Sequence, residues 1–179
     1  MSDSSKVLVL KGENIAAYGF GEDHPFGPDR HDAFHAALAA SGLDVALASA
    51  GNAPRAALEA FQTSGDLDLV ARACADGSGF LDGGDTPAQP GIDEAATAVV
   101  GATLFAVEAV MAGRAPRAFV PIAGLHHAGR AHASGFCVFN DCGVALEILR
   151  RRHGLRRIDY VDIDAHHGDG VFYAFEADT

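Results

Sequence analysis

The stretch Tyr160-Val-Asp-Ile-Asp-Ala-His-His-Gly-Asp-Gly170 carries a short apolar, β-branched pattern straight into a cluster of carboxylates and imidazoles. Side chains alternate along an extended segment, so Asp162, Asp164 and His166 fall on one side if that geometry persists to the strand end. Asp164 and His166 then offer one oxygen and one nitrogen to a single divalent cation. That donor mix suits Zn2+ or Fe2+ better than Ca2+. The plainer reading, loop-capping aspartates beside solvated histidines, fits poorly where charged groups end a hydrophobic strand.

Working outward, three more runs rich in Val, Ile and Ala read as buried strands: Lys6–Leu10, Val45–Ala50 and Ala118–Ala123, with Ile158–Asp164 as the fourth. Helical patterns lie between them at residues 31–41, 54–63, 93–112 and 139–153. The clearest is 93–112, where Ile92, Ala96, Val99, Thr103, Leu104, Val107 and Met111 recur at helical spacing. Asp93 and Glu94 occupy its first turn and Gly113 closes it. Strands separated by helices of this length imply parallel pairing with right-handed crossovers. The expected fold is a layered α/β domain, a parallel sheet flanked by helices, spanning residues 1–179 as one domain. Ligands in such sheets gather at the carboxyl ends of the strands. Gly- and Pro-rich loops at Phe20–Pro28 and Gly77–Gly91 interrupt the pattern.

A second cluster, Gly124-Leu-His-His-Ala-Gly-Arg-Ala-His-Ala-Ser-Gly-Phe-Cys137, follows the run at Ala118–Ala123 and so also belongs at a strand's carboxyl end. His126 and His127 supply imidazoles that take and return protons near neutrality. Each needs a carboxylate to orient it, and Asp162 and Asp169 are to spare in the first cluster. A lone His-His pair says little, but its combination with the Asp-x-Asp-x-His-His-x-Asp pattern is specific.

The chain has 179 residues and a net charge of −11, a field that repels polyphosphate and argues against a nucleic-acid partner. Five of the 13 basic residues sit in the run Arg150–Arg157, read as the solvated end of a helix. Cys74, Cys137 and Cys142 are odd in number and form no Cys-x-x-Cys pair, which argues against a disulfide framework and fits a reducing cytoplasm. The N-terminal apolar stretch is far short of a signal-peptide core, and no apolar run is expected to span a membrane.

These two motifs resemble the histone deacetylase superfamily, which includes bacterial acetoin-utilisation proteins and polyamine deacetylases and shares the arginase-like α/β fold. GLHHAGRAHASGFCVFND and YVDIDAHHGDGVFYAF carry the likeness, HPFGPDR at His24–Arg30 is similar to the family's N-terminal loop, and LDGGDTPAQPGIDEAA at Leu81–Ala96 to its rim loop and following helix. The resemblance implies a metal-dependent amidohydrolase that removes acetyl groups from amines. It makes Asp164 and His166 two of three metal ligands, and pairs His126 with Asp162 and His127 with Asp169 as proton-handling dyads. Gly135 and Phe136 line the acyl-lysine tunnel, Asp85 holds substrate backbone at its rim, and Arg30 borders the acetate exit. A monovalent cation, K+, falls at Asp162, Asp164 and the carbonyl of His166. Cys137 lies near the tunnel without a chemical role. The GLHH form is closer to the acetoin-utilisation and class I type, which implies acetyl-lysine of a protein as substrate, with acetylpolyamine second.

The family places its third ligand, an aspartate, and an oxyanion-stabilising tyrosine well downstream of the HHGDG motif, whereas this sequence stops at Thr179, nine residues after Gly170. Tyr18, Tyr160 and Tyr173 match no such position. The expectation is a fragment of a longer product or a truncated paralogue, catalytically incomplete as it stands. Two other readings stay open: a non-catalytic metal-binding scaffold, and a cysteine hydrolase built on Cys137, the latter disfavoured because GFCVF reads as core.

Overall fold

The structure, a computed structural model, describes residues 6–21, 24–27 and 29–178. Three short parallel strands form its sheet: β1 (Leu8–Leu10), β2 (Ala46–Ala48) and β3 (Ala118–Phe119), in the order β2-β1-β3. Leu8 stands opposite Ala46 and Ala118, and Val9 opposite Phe119. The two-residue period of a strand then decides which layer each side chain meets. Leu8, Leu10 and Ala118 pack with Ala98, Ala102 and Ala106 of the long helix α5 (Ile92–Met111). Phe119 points the other way and stacks on Phe34 of α2 (Arg30–Ser41), ring centroids 5.1 Å apart. The result is the expected parallel sheet between helical layers.

α5 is the hub. It has 20 residues and a mean hydropathy of 1.5, the length and composition of a membrane span, which the sequence reading did not anticipate. Small residues explain its burial on two sides, because they let backbone approach backbone. A Cβ on Gly101 would strike the Gly51 carbonyl. One face serves the sheet; the other, through Ile92, Ala96, Val99 and Val100, joins the larger core of Tyr18, Phe61, Val70, Val138, Val144 and Ile148. That core also takes in α4 (Ser64–Asp76) and α6 (Asp141–Arg151).

Several expectations change. The helix expected over 54–63 shrinks to α3 (Arg55–Leu58), and the helix α4 that follows it was not foreseen. Short helices α1 (Glu13–Ala16) and α7 (Asp169–Phe175) were also missed. The strand expected over Ala118–Ala123 ends at Phe119, because Pro121 has no N–H to donate to a ladder. The strand expected over Ile158–Asp164 does not form: these residues are irregular, and Val161 and Ile163 are 76% and 94% exposed. A β-branched pattern makes a strand only when a neighbour accepts its ladder, and β3 has already ended. Of the loop at Phe20–Pro28, residues 22, 23 and 28 lie outside the described residues.

Candidate active site

Beyond β3 the chain enters an irregular loop, residues 120–139, which the start of α6 holds in place. Asn140 caps that helix: its Oδ1 accepts the Gly143 N–H at 2.8 Å, while its Nδ2 donates to the carbonyls of Ala128 (2.7 Å) and His126 (3.5 Å). The adjacent Asp141 is buried and accepts from the amides of Leu125 (2.8 Å) and Gly124 (3.1 Å) and from the Thr103 hydroxyl (2.7 Å). Burial pushes its carboxyl up, and those donors work against the shift. Two neighbouring residues thus fix the backbone on both sides of His126 and His127.

His126 Nδ1 lies 2.7 Å from Asp162 Oδ2, and His127 Nδ1 lies 2.7 Å from Asp169 Oδ1. The two imidazole centroids are 4.2 Å apart. These are the two pairs that the resemblance named. Burial alone would raise the Asp162 carboxyl, but bonds from His126, the Asp164 amide and the Tyr160 hydroxyl hold it below the ordinary range. At Asp169 burial is likewise outweighed, mainly by His127. An ionised carboxylate only accepts, so each Nδ1 carries a hydrogen and donates to its aspartate, which leaves Nε2 as the ring nitrogen not engaged by the carboxylate. His126, at 7% exposure, is the more enclosed of the two.

Glycines make this closeness possible. A Cβ on Gly168 would collide with Asp162 Oδ2 and come within 3.0 Å of His126 Nδ1. One on Gly170 would press on the carbonyls of Ala128 and His126. Gly135, at φ 53°, lies under the His127 ring, where a Cβ would be 2.7 Å from Cδ2.

Phe136 is the one non-glycine residue with positive φ among those described, at 67°. Two hydroxyls hold it there. The buried Tyr18 hydroxyl donates to its carbonyl at 2.6 Å and accepts the Val138 N–H at 3.0 Å, and Thr86 Oγ1 accepts its N–H at 3.0 Å. The Thr86 hydroxyl in turn donates to Asp82, which also accepts the amides of Gly84, Asp85 and Thr86. Burial works to raise the Asp82 carboxyl, yet these donors bring it down to about 2. The Phe136 ring meets His24 edge-on at 4.4 Å. Asp85 is exposed, its carbonyl 3.4 Å from His24 Nε2. Arg30 opens α2 and lies over Phe26 at 4.6 Å, and Phe26 packs edge-on against Tyr18.

Asp164 and His166 are neighbours but exposed. His166 Nδ1 is 2.9 Å from Asp164 Oδ1, which also accepts the His166 amide at 2.7 Å; that amide bond leads the causes holding the Asp164 carboxyl below its usual value. Two donors to one tetrahedral cation stand roughly 3.4 Å apart, so a slight opening of this pair fits a divalent ion. Among the described residues no group of three His, Cys, Asp or Glu side chains comes together. The His127 and His166 rings are 6.0 Å apart, which sets Asp164 and His166 beside the dyads. Cys137 is buried, and burial pushes its thiol up to about 12. It therefore holds its proton at neutral pH and is a poor nucleophile.

Sequence reasoning gave no role to Tyr18, Thr86, Asp82, Asn140 or Asp141. The Asn-Asp pair opening a helical pattern was a readable capping signal.

The histone deacetylase domain pattern matches residues 24–179. The acetoin utilization protein AcuC of Bacillus subtilis is 47% identical over 91 residues, 51% of this chain and 23% of that protein. Histone deacetylase RPD3 of Saccharomyces cerevisiae is 30% identical over 184 residues, covering 97% of this chain and 42% of its own length. The crystal structure of the HDA15 HD domain superposes with a TM-score of 0.87 at 28% identity, over 97% of this chain and 51% of that one. The parallel sheet between helices matches the fold of that solved deacetylase domain, and the chain belongs to the histone deacetylase family. It spans about half or less of the relatives it matches.

Proposed function

We propose that this chain supplies the proton-transfer half of an amidohydrolase site that converts an acetylated amine and water into acetate and the free amine. The observation that carries this reading is the side-by-side pair of His–Asp contacts, both 2.7 Å. With Nδ1 anchored, each imidazole offers Nε2 to the reaction. One Nε2 takes the proton of the attacking water, and a protonated Nε2 gives one to the departing amine nitrogen; such transfer contributes roughly 100-fold to 10,000-fold. Asp162 and Asp169 stabilise the imidazolium and fix its tautomer. Gly135 and Phe136 narrow the approach, Asp85 offers a carboxylate to substrate backbone, and Arg30 lies where acetate would leave. Asp164 and His166 are the residues that would hold Zn2+ or Fe2+, which when bound polarises the acetamide carbonyl and acidifies water. A monovalent cation belongs to Asp162, Asp164 and the His166 carbonyl. Acetyl-lysine of a protein is the first substrate, acetylpolyamine the second, and the cytoplasm the proposed setting.

The test is hydrolysis of an acetyl-lysine peptide by the purified chain with added Zn2+ or Fe2+ and a chelator control. Slow, chelator-sensitive acetate release, lost in His127→Ala and retained in Cys137→Ala, supports the reading. Release that survives His127→Ala overturns it. The two-donor pair at Asp164 and His166 favours one second reading, a metal-binding scaffold. Metal uptake without any hydrolysis would select it.

A further inference from the structure

His31 and His35 stand four residues apart on α2, a spacing that puts both side chains on one face of the helix. Their rings meet, with centroids 4.5 Å apart and planes tilted by 53°. One nitrogen of each ring is already anchored. His31 Nδ1 lies 3.0 Å from Asp32 Oδ1, and His35 bonds to the backbone of Leu10, the last residue of β1. The other nitrogens are poorly used. His31 Nε2 accepts the Gly12 N–H at 3.4 Å, long for such a bond, and His35 Nε2 is buried with no partner among the described residues. Neither imidazole takes part in the site described above.

We propose that His31 and His35 form a cation site of their own, which takes one Cu2+ or Ni2+ through the two Nε2 atoms and ties α2 to the end of β1. Two histidines at this spacing on one helix face are a chelating pair. Histidine ligands usually bond through their second ring nitrogen to a carboxylate or the backbone, which fixes the tautomer and aims the lone pair. Asp32 and Leu10 supply those two anchors here. The ring spacing selects the kind of ion. With metal–nitrogen bonds of about 2.0–2.1 Å, two imidazoles at a right angle bring their centroids to about 4.5 Å, and at the tetrahedral angle to about 5.2 Å. The observed 4.5 Å therefore suits the square-planar preference of Cu2+ and Ni2+ better than tetrahedral zinc. Burial, the largest cause, lowers the His35 imidazole below its usual value; His31 and Lys11 act the same way, the Leu10 bond and Asp32 against them. The ring is thus neutral near pH 7, the form that ligates. Two protein donors leave the remaining positions to water, which reaches this face beside the exposed Asp32. The pair shares no residue with Asp164 and His166 and does not rest on the hydrolase reading.

The experiment uses the full chain carrying Asp164→Ala and His166→Ala, so that the other donor pair cannot compete. Cu2+ is added in substoichiometric steps while the amide NMR spectrum is followed, because the paramagnetic ion broadens the signals nearest to it. Broadening should begin at Gly12, His31 and His35 and be reversed by a chelator. Electron paramagnetic resonance should show two nitrogen donors, and His35→Gln in the same background, checked for folding by circular dichroism, should lose that signature. Ni2+ should raise the Tm of the first chain and leave that of His35→Gln unchanged. Broadening that begins at another histidine while Gly12 stays sharp overturns the proposal, as does a Cu2+ spectrum unaltered in folded His35→Gln. Should His35→Gln fail to fold, the broadening pattern of the first chain decides alone.

Discussion

Removing one hydroxyl should show how strongly the Phe136 turn is held. In Tyr18→Phe the ring keeps its packing, but the Phe136 carbonyl loses a 2.6 Å donor and the fully buried Val138 N–H loses its 3.0 Å acceptor. Each buried group left unpaired costs about 1–3 kcal/mol. Phe136 stands at φ 67°, a conformation that costs a non-glycine residue about 1–2 kcal/mol, and part of that is recovered once the clamp opens. The net loss should be about 2–4 kcal/mol, a fall in Tm of roughly 4–15 °C for a chain of this length. Urea unfolding followed by circular dichroism measures it, with an unchanged slope showing that the denatured state is unaffected. Burial, the largest cause, raises the Tyr18 phenol well above its ordinary value, so the loss should be the same at pH 6 and pH 9. A loss under about 0.5 kcal/mol, below a typical single hydrogen bond, would refute the reasoning.

Gly168→Ala should loosen the His126–Asp162 contact, since its methyl group would overlap Asp162 Oδ2; a destabilisation of about 1–3 kcal/mol is expected by chemical unfolding, and unchanged stability would show that the segment yields freely. The depressed Asp82 carboxyl stabilises the fold above the unfolded value, and that share is lost as pH falls through about 2. Asp82→Asn should therefore flatten the acid limb of the stability profile, and a limb of unaltered steepness would place the acid sensitivity elsewhere. Titration calorimetry with Zn2+ should show one weak site per chain, because two protein donors are fewer than the three usual in catalytic zinc. Tight uptake that survives Asp164→Ala combined with His166→Ala would remove those residues from the site.

What the sequence made legible was local. β1 reads as a strand because Leu8, Val9 and Leu10 are buried on both sheet faces, and residues 93–112 read as a helix because their period is unambiguous. Asp162, His126, His127 and Asp169 stood out because few structural roles require such residues at strand ends. Ile158–Asp164 shows the limit: its Ile, Tyr and Val residues make a strand-like pattern, but a ladder needs a partner and composition does not report one. α4 was overlooked because Ser64, Gly65 and Asp66 are poor helix formers, although Thr63 and Asp66 carry a capping spacing. The Phe136 clamp was beyond reach. Tyr18 and Phe136 are 118 residues apart, and neither residue type announces the bond.

The absent fourth strand changes how the site keeps its geometry. Residues 158–168 have no ladder to hold them, so their position comes from side chains and from the start of α7. Tyr160 donates to Asp162 Oδ2 at 3.0 Å, Asp162 meets His126, and the Val171 amide returns to the His126 carbonyl at 3.2 Å. Gly170 lies against the Ala128 and His126 carbonyls, where a larger residue would lift α7 away. Asp169 does two things at once: it occupies the first turn of α7, where a negative charge is favoured, and it accepts from His127. The same few residues that polarise the imidazoles therefore also fasten the segment bearing Asp164 and His166 to the loop bearing His126 and His127. A substitution in either dyad should therefore loosen the segment bearing Asp164 and His166 as well as its own His–Asp contact, and measuring metal affinity alongside turnover in each variant would separate the two effects.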